Sequence, residues 1–141
     1  MEKIVHVLLV LTLLIVIYTD LRWRIIPNNL LLVITPIALI LRLISQPFAI
    51  GNYLLGALIG FGVLFLAAYM SNGKIGGGDI KFYGVIGLIL GVEMTLLSLV
   101  FFSLLLCLYY LVLYVLKRFM MDHSVPLAPF IAASVLIVYS L

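Results

Sequence analysis

The chain has 141 residues, of which 67% are hydrophobic and 9% are charged, with a net charge of +3 and a mean hydropathy of +1.41. This composition excludes a soluble globular domain, whose apolar fraction is about half. It predicts an all-α, polytopic membrane protein, since the length suffices for about six helices of roughly 20 residues each. Residues 1–141 then form one membrane domain, and the lipid bilayer is its first predicted partner. The modest positive charge predicts no nucleic-acid partner, because membrane proteins collect Lys and Arg in their cytoplasmic loops.

Six apolar runs follow one another along the sequence and predict the transmembrane helices. They occupy approximately residues 4–19, 25–44, 52–71, 80–92, 95–116 and 126–141. The first is expected to be retained as a helix, because no small-residue cleavage site follows it. Near the end of the second, Arg42 is expected to snorkel into the membrane interface. In the third, Gly56 and Gly60 form a small-xxx-small pair that predicts close helix packing. The fourth is short for a full span, and its glycines predict that protein surrounds it.

The distribution of charge predicts the orientation of the helices. Basic residues concentrate in the first, third and fifth connections, which contain Arg22, Arg24, Lys74, Lys81, Lys117 and Arg118. Only Lys3 and Arg42 belong to the opposite side, so the odd-numbered connections are predicted to be cytoplasmic and both termini to be outside. In this orientation Asp20, at the end of the first run, and Asp79, at the start of the fourth, lie at the same cytoplasmic face.

A glycine-rich polar stretch, residues 73–81, separates the third and fourth runs. Its three consecutive glycines lack Cβ atoms, so another chain can approach their backbone closely. Asp79 follows them directly. A carboxylate at membrane depth costs several kcal/mol unless it faces protein or water, so Asp79 is a candidate functional residue, as is Asp20. The residues predicted to form the active-site loop and to bind substrate are Gly76, Gly77, Gly78 and Lys81.

Asp20 and Asp79 together predict acid–base chemistry. Two carboxylates that share a site cannot both ionise cheaply, so one is left as a base and the other as an acid. Such a pair can activate a water against a peptide carbonyl and protonate the leaving amine, with neither a metal nor a cofactor. The alternative for each aspartate is that it merely caps a helix. Two acids on one side of the membrane, beside a glycine stretch, favour catalysis.

Other hydrolytic sites are less well supported by the sequence. There is no H-E-x-x-H or G-x-S-x-G motif. The nearest rival is Asp122 with His123, which lies in a polar loop where solvated charge is the ordinary expectation. A different class of function also stays open, in which the paired aspartates belong to a non-catalytic membrane protein such as a proton or ion conduit. A conduit needs polar residues through the full membrane depth, whereas here they cluster at one face.

Three motifs resemble those of a known family. Residues 76–81, Gly-Gly-Gly-Asp-Ile-Lys, are similar to the GxGD signature of intramembrane aspartyl proteases, and most closely to its form in type IV prepilin peptidases. Asp20, with Ile-Pro-Asn at residues 26–28, resembles the first catalytic aspartate of that family and the motif downstream of it. Residues 125–130, Val-Pro-Leu-Ala-Pro-Phe, resemble its C-terminal proline motif. The three motifs occur in the order typical of the family and extend over almost the whole chain.

The resemblance implies a six-helix enzyme of the inner (plasma) membrane that cleaves a short basic leader from prepilin-like or preflagellin-like proteins at the cytoplasmic face. Asp20 and Asp79 inherit the catalytic roles. Larger family members carry paired cysteines in an N-terminal segment associated with methylation. This sequence has one cysteine, Cys107, and its first apolar run begins by Ile4, so the peptidase-only form is expected. The sequence leaves open the identity of the substrate and the formation of a homo-oligomer.

Overall fold

The computed structural model describes residues 2–46, 49–73, 75–116 and 125–141. Every regular element in these ranges is an α-helix, which confirms the predicted all-α class. The six helices are α1 (Glu2–Trp23), α2 (Asn28–Ser45), α3 (Ile50–Met70), α4 (Gly77–Leu90), α5 (Val92–Val115) and α6 (Ala128–Ser140). Four of them, α1, α2, α3 and α5, are long and apolar enough to cross a membrane. Helices α4 and α6 are shorter, with 14 and 13 residues.

Helix α1 continues beyond the apolar run and through Asp20. The expectation that the first run ends at about residue 19 and that Arg22 lies in the connection after it was therefore wrong, because Leu, Arg and Trp continue a helix readily once it has started. The helix ends where Arg24 adopts a left-handed backbone with φ of +53°. There the Arg24 N–H donates to the Asp20 carbonyl oxygen at 2.9 Å, which closes the last turn. Asp20 is thus held by helical backbone rather than by a loop.

Helix α4 is the centre of the fold. Nine of its 14 residues are buried, so this short helix is surrounded by protein, as the sequence predicted. Its closest neighbour is α3, where Gly56 faces Gly87 and Gly60 faces Tyr83. A Cβ added at Gly56 would lie 2.5 Å from the Gly87 carbonyl oxygen, and one added at Gly60 would lie 2.6 Å from the Tyr83 oxygen. The small-xxx-small pair therefore allows two backbones to touch.

The far end of α4 is held by a buried arginine. Arg42 is 5% exposed, and its Nε donates to the Ile89 carbonyl oxygen at 3.0 Å. One terminal guanidinium nitrogen, Nη2, donates to the same oxygen. Its guanidinium carbon lies 4.2 Å from the centre of the Tyr53 ring. The expectation that Arg42 snorkels was therefore wrong, because the last carbonyls of α4 offer acceptors that compensate for burial. Gly91, the single residue between α4 and α5, turns the chain with a φ of +81°.

Candidate active site

One cavity collects all six residues that the sequence singled out as catalytic or substrate-binding. It has a volume of about 370 Å³ and lies where the end of α1, the start of α2 and the start of α4 meet. The residues that line it are Asp20, Arg24, Ile25, Ile26, Asn28, Gly76, Gly77, Gly78, Asp79 and Lys81. The fold thus brings together two carboxylates that are far apart in sequence, in a cavity whose wall contains both polar and apolar residues.

Asp20 reaches the cavity from the last turn of α1 and is only 5% exposed. Its Oδ2 accepts a hydrogen bond of 3.0 Å from the backbone N–H of Ala128, the first residue of α6. A helix N-terminus carries partial positive charge and unsatisfied N–H groups, so it stabilises an ionised carboxylate. Pro129 lies in the first turn of α6, where proline is favoured because it needs no N–H partner.

This contact was not predicted. The resemblance had identified residues 125–130 as a motif but assigned no role to Ala128. The usable signal was the spacing of Pro126 and Pro129, since prolines three residues apart in front of an apolar run indicate a helix start. Which carboxylate that helix start would face cannot be derived from the sequence.

Asp79 enters the cavity from the first turn of α4. The stretch predicted as a loop is partly helical, because Gly76 is the N-cap and Gly77 and Gly78 already belong to the helix. The backbone of Gly76 hydrogen-bonds to the Asp79 carboxylate. Asp79 therefore does interact with the N-terminal backbone of α4, as the helix-capping alternative expects. That interaction involves only one of its two carboxylate oxygens. Its Oδ1 is buried and has no hydrogen-bond partner within the described ranges.

The electrostatic setting of Asp79 favours its protonated form. It belongs to α4, outside the four helices that are long enough to span a membrane. Burial and, to a smaller extent, the neighbouring Asp20 carboxylate raise the pKa of Asp79, the hydrogen bond from the Gly76 backbone lowers it, and the net pKa is about 6. A carboxyl group whose pKa is shifted toward neutral pH is suited to take up a proton and to donate it during a reaction.

Gly77 and Gly78 have different roles in the cavity. Gly77 lines the cavity, and a Cβ built on it would meet nothing within 4 Å, so its backbone is open to an incoming chain. Gly78 instead packs against Ile26, just before the start of α2, since a Cβ built on Gly78 would lie 3.0 Å from the Ile26 Cβ. Lys81, one turn along, donates from Nζ to the Asn28 Oδ1 at 3.2 Å. The open strip of backbone is therefore at Gly77, whereas Gly78 sets the distance between α4 and the start of α2.

The rival pair, Asp122 and His123, lies outside the described residues, as do Lys74, Lys117 and Arg118 of the charge argument. No group of three or more His, Cys, Asp or Glu side chains forms within the ranges that the structure describes. The other histidine of the sequence, His6, packs edge-on against Tyr139 with ring centres 4.8 Å apart. It lies near the start of α1, at the opposite end of that helix from Asp20.

Comparison with known proteins gives a consistent result. Residues 7–116 match the model of the type IV leader peptidase family. The prepilin leader peptidase/N-methyltransferase of Bacillus subtilis (strain 168) is 38% identical over 139 residues, which cover 99% of this chain and 56% of that protein. The chain therefore spans about half the length of the curated relative that it matches. No solved structure matches it significantly.

Proposed function

The chain belongs to the type IV leader peptidase family, and from this premise we propose that it is a membrane-embedded aspartyl endopeptidase that removes the leader of prepilin-like proteins. The observation that carries the proposal is the cavity in which Asp20 and Asp79 meet beside the open backbone of Gly77. A peptide laid along that backbone presents its carbonyl to both carboxylates. The buried Oδ1 of Asp79 has no hydrogen-bond partner among the described residues, and in the proposed complex the substrate peptide supplies one.

The two aspartates take different roles in the proposed mechanism. Asp20 accepts a hydrogen bond from the backbone N–H at the start of α6, a contact that favours its ionised form, and it is assigned the role of general base. It takes a proton from a water, whose oxygen attacks the scissile carbonyl carbon. Asp79, whose pKa is raised, gives its proton to the departing amide nitrogen as the C–N bond breaks. The products are a carboxylate on the leader and a free amine on the shortened substrate.

The substrate and the membrane side follow from charge. Arg22, Arg24 and Lys81 lie at the cavity end of the fold, so this end is proposed to face the cytoplasm and both termini to lie outside. A substrate with a basic leader on the same side and an apolar helix in the membrane places its scissile bond at the cavity. The conduit alternative is not favoured, because the chain belongs to a peptidase family and the two aspartates line one cavity at the same end of the fold.

Carboxylate removal tests the proposal. Asp20→Asn and Asp79→Asn are each expected to lower cleavage of a reconstituted prepilin-like substrate at least a hundredfold while the protein still inserts and accumulates, because losing either partner stops the proton transfer. The double variant is expected to be no worse than either single one, since groups that act as a unit are not additive.

The control is Glu93→Gln, which removes an exposed acid at the start of α5 and is expected to leave cleavage within twofold of wild type. Processing near the wild-type rate by either aspartate variant would refute the assignment. A large loss in Asp122→Asn or His123→Ala would instead support the rival pair.

A further inference from the structure

A second cavity adjoins the catalytic one, between α2, α3 and α4. Its volume is about 710 Å³, and its lining is apolar apart from Asn28, Thr35 and Lys81. Asn28 and Lys81 line both cavities, and the hydrogen bond between their side chains lies where the two meet. The apolar cavity, called the lateral groove below, is thus continuous with the site that holds the aspartates.

The lateral groove has a defined length and direction. Each wall contributes two helical turns, residues 28–35 of α2, 54–61 of α3 and 81–88 of α4, which corresponds to about 10 Å along the helix axes. Because α2 and α4 both start at the catalytic end, the groove runs from the Asn28–Lys81 pair away from the aspartates, into the apolar part of the fold. Ala57 and Gly84 line it where α3 and α4 contact each other, since a Cβ on Gly84 would lie 3.6 Å from the Ala57 carbonyl oxygen.

We infer that the lateral groove binds the first two turns of the apolar helix that follows the scissile bond of the substrate. This inference rests on the proposed function, since it concerns the part of the substrate that remains in the membrane after cleavage. A bond held at Asp20 and Asp79 leaves the next residues at the mouth of the groove. About seven residues of helix then fill its length, at 1.5 Å per residue.

The Asn28–Lys81 pair suits the point where the substrate changes from helix to extended chain. Unwinding at the scissile bond frees backbone N–H and C=O groups, which are costly in hydrocarbon unless they find partners. Lys81 is exposed at this junction and supplies donors, and Asn28 carries an amide that both donates and accepts. The groove beyond offers only apolar contacts, which a helix with satisfied backbone groups can use.

Cross-linking tests the location. Leu58 lies in the middle of the groove on α3 and is 66% exposed, whereas Leu66 lies outside the groove on the same helix and is 60% exposed. Leu58→Cys and Leu66→Cys are made with Cys107→Ser and Asp79→Asn, so that the native thiol is removed and the substrate is not cut. The probe is a prepilin-like protein with single cysteines along its apolar helix. Leu58→Cys is expected to cross-link at least tenfold more than Leu66→Cys, with a maximum about four residues after the scissile bond.

Kinetics test whether the contact matters. In the otherwise wild-type protein, Leu58→Trp is expected to raise KM for the same substrate about tenfold, because the indole occupies the groove. Leu66→Trp is expected to stay within twofold. If wild type does not cleave the substrate, the proposed function fails and this inference fails with it. If wild type cleaves but the Leu58 and Leu66 variants behave alike in both experiments, the inference alone is refuted.

Discussion

At the scale of single residues, two neighbouring glycines line the cavity in different surroundings: Gly77 has open space beside it, and Gly78 does not. A side chain at Gly77 would meet no other residue but would occupy part of the cavity. A side chain at Gly78 would instead contact Ile26, which lies two residues before the start of α2. Substitution at Gly78 therefore reports on helix packing as well as on substrate access. Gly77 is the position that isolates access.

Gly77→Val is expected to reduce cleavage at least tenfold with little change in thermal stability, because the branched side chain projects into the cavity that the peptide backbone must enter. The matched control is Gly62→Val in α3, since a Cβ at Gly62 also meets nothing within 4 Å but Gly62 does not line the cavity. Cleavage of a reconstituted substrate and unfolding in detergent are measured for both variants. Equal losses of activity at the two positions would show that Gly77 has no special part in access.

At the scale of helices, α4 is a short element fixed at both ends. Its first turn carries Asp79, and its last carbonyls receive Arg42 from α2. Between these ends, the Tyr83 hydroxyl hydrogen-bonds to the Ser98 hydroxyl of α5 at 2.9 Å, and Gly87 touches α3. A helix with 14 residues cannot gain much stability from its own hydrogen bonds, so these contacts determine where Asp79 is held.

Arg42→Met is expected to destabilise the protein by about 1–3 kcal/mol, because it keeps much of the volume of the side chain while removing the donors to Ile89. The control is Arg22→Met, which removes an exposed arginine whose partner is the Tyr18 hydroxyl at 3.3 Å and is expected to cost less than about 0.5 kcal/mol. Thermal unfolding in detergent compares the two. Similar shifts in Tm for both variants would mean that the buried contact adds nothing beyond a surface arginine.

At the scale of the whole molecule, the catalytic cavity lies at one end of the helices and the lateral groove extends from it along their axes. This arrangement separates two tasks. In the proposed arrangement, the polar groups of the catalytic cavity bind an unwound peptide bond of the substrate in contact with water. The apolar walls of the lateral groove bind a substrate helix whose backbone groups are already hydrogen-bonded within the helix. Unwinding is cheap at the end because water supplies hydrogen bonds there, whereas the hydrocarbon interior does not.

Cleavage is therefore expected to fall at least tenfold when the scissile bond is moved two helical turns, about 10 Å, into the apolar segment of the substrate. The moved bond keeps its flanking residues, so only its depth changes. Rates are compared in the same vesicles, with a substrate in which the leader is extended by an equal number of polar residues as the control. Undiminished cleavage of the deeper bond would contradict a site that works at the membrane surface.

The sequence by itself determined the features that depend on composition and local pattern. Apolar runs of the right length predict membrane helices wherever they pack, so six helices and the all-α class followed directly. The cost of a carboxylate at membrane depth singled out Asp20 and Asp79, and consecutive glycines marked the backbone beside Asp79. Each of these inferences needs only residues that are close together in the chain.

The tertiary structure alone decided which distant groups meet. The hydrogen bonds from Ala128 to Asp20 and from Arg42 to Ile89 join residues that are 108 and 47 positions apart in sequence, and the groove exists only because α2, α3 and α4 pack together. Nearly every position in these helices is apolar, so hydrophobic periodicity does not show which face meets which neighbour. The helix faces are selected instead by small residues that let backbones touch and by the few polar groups that must find partners.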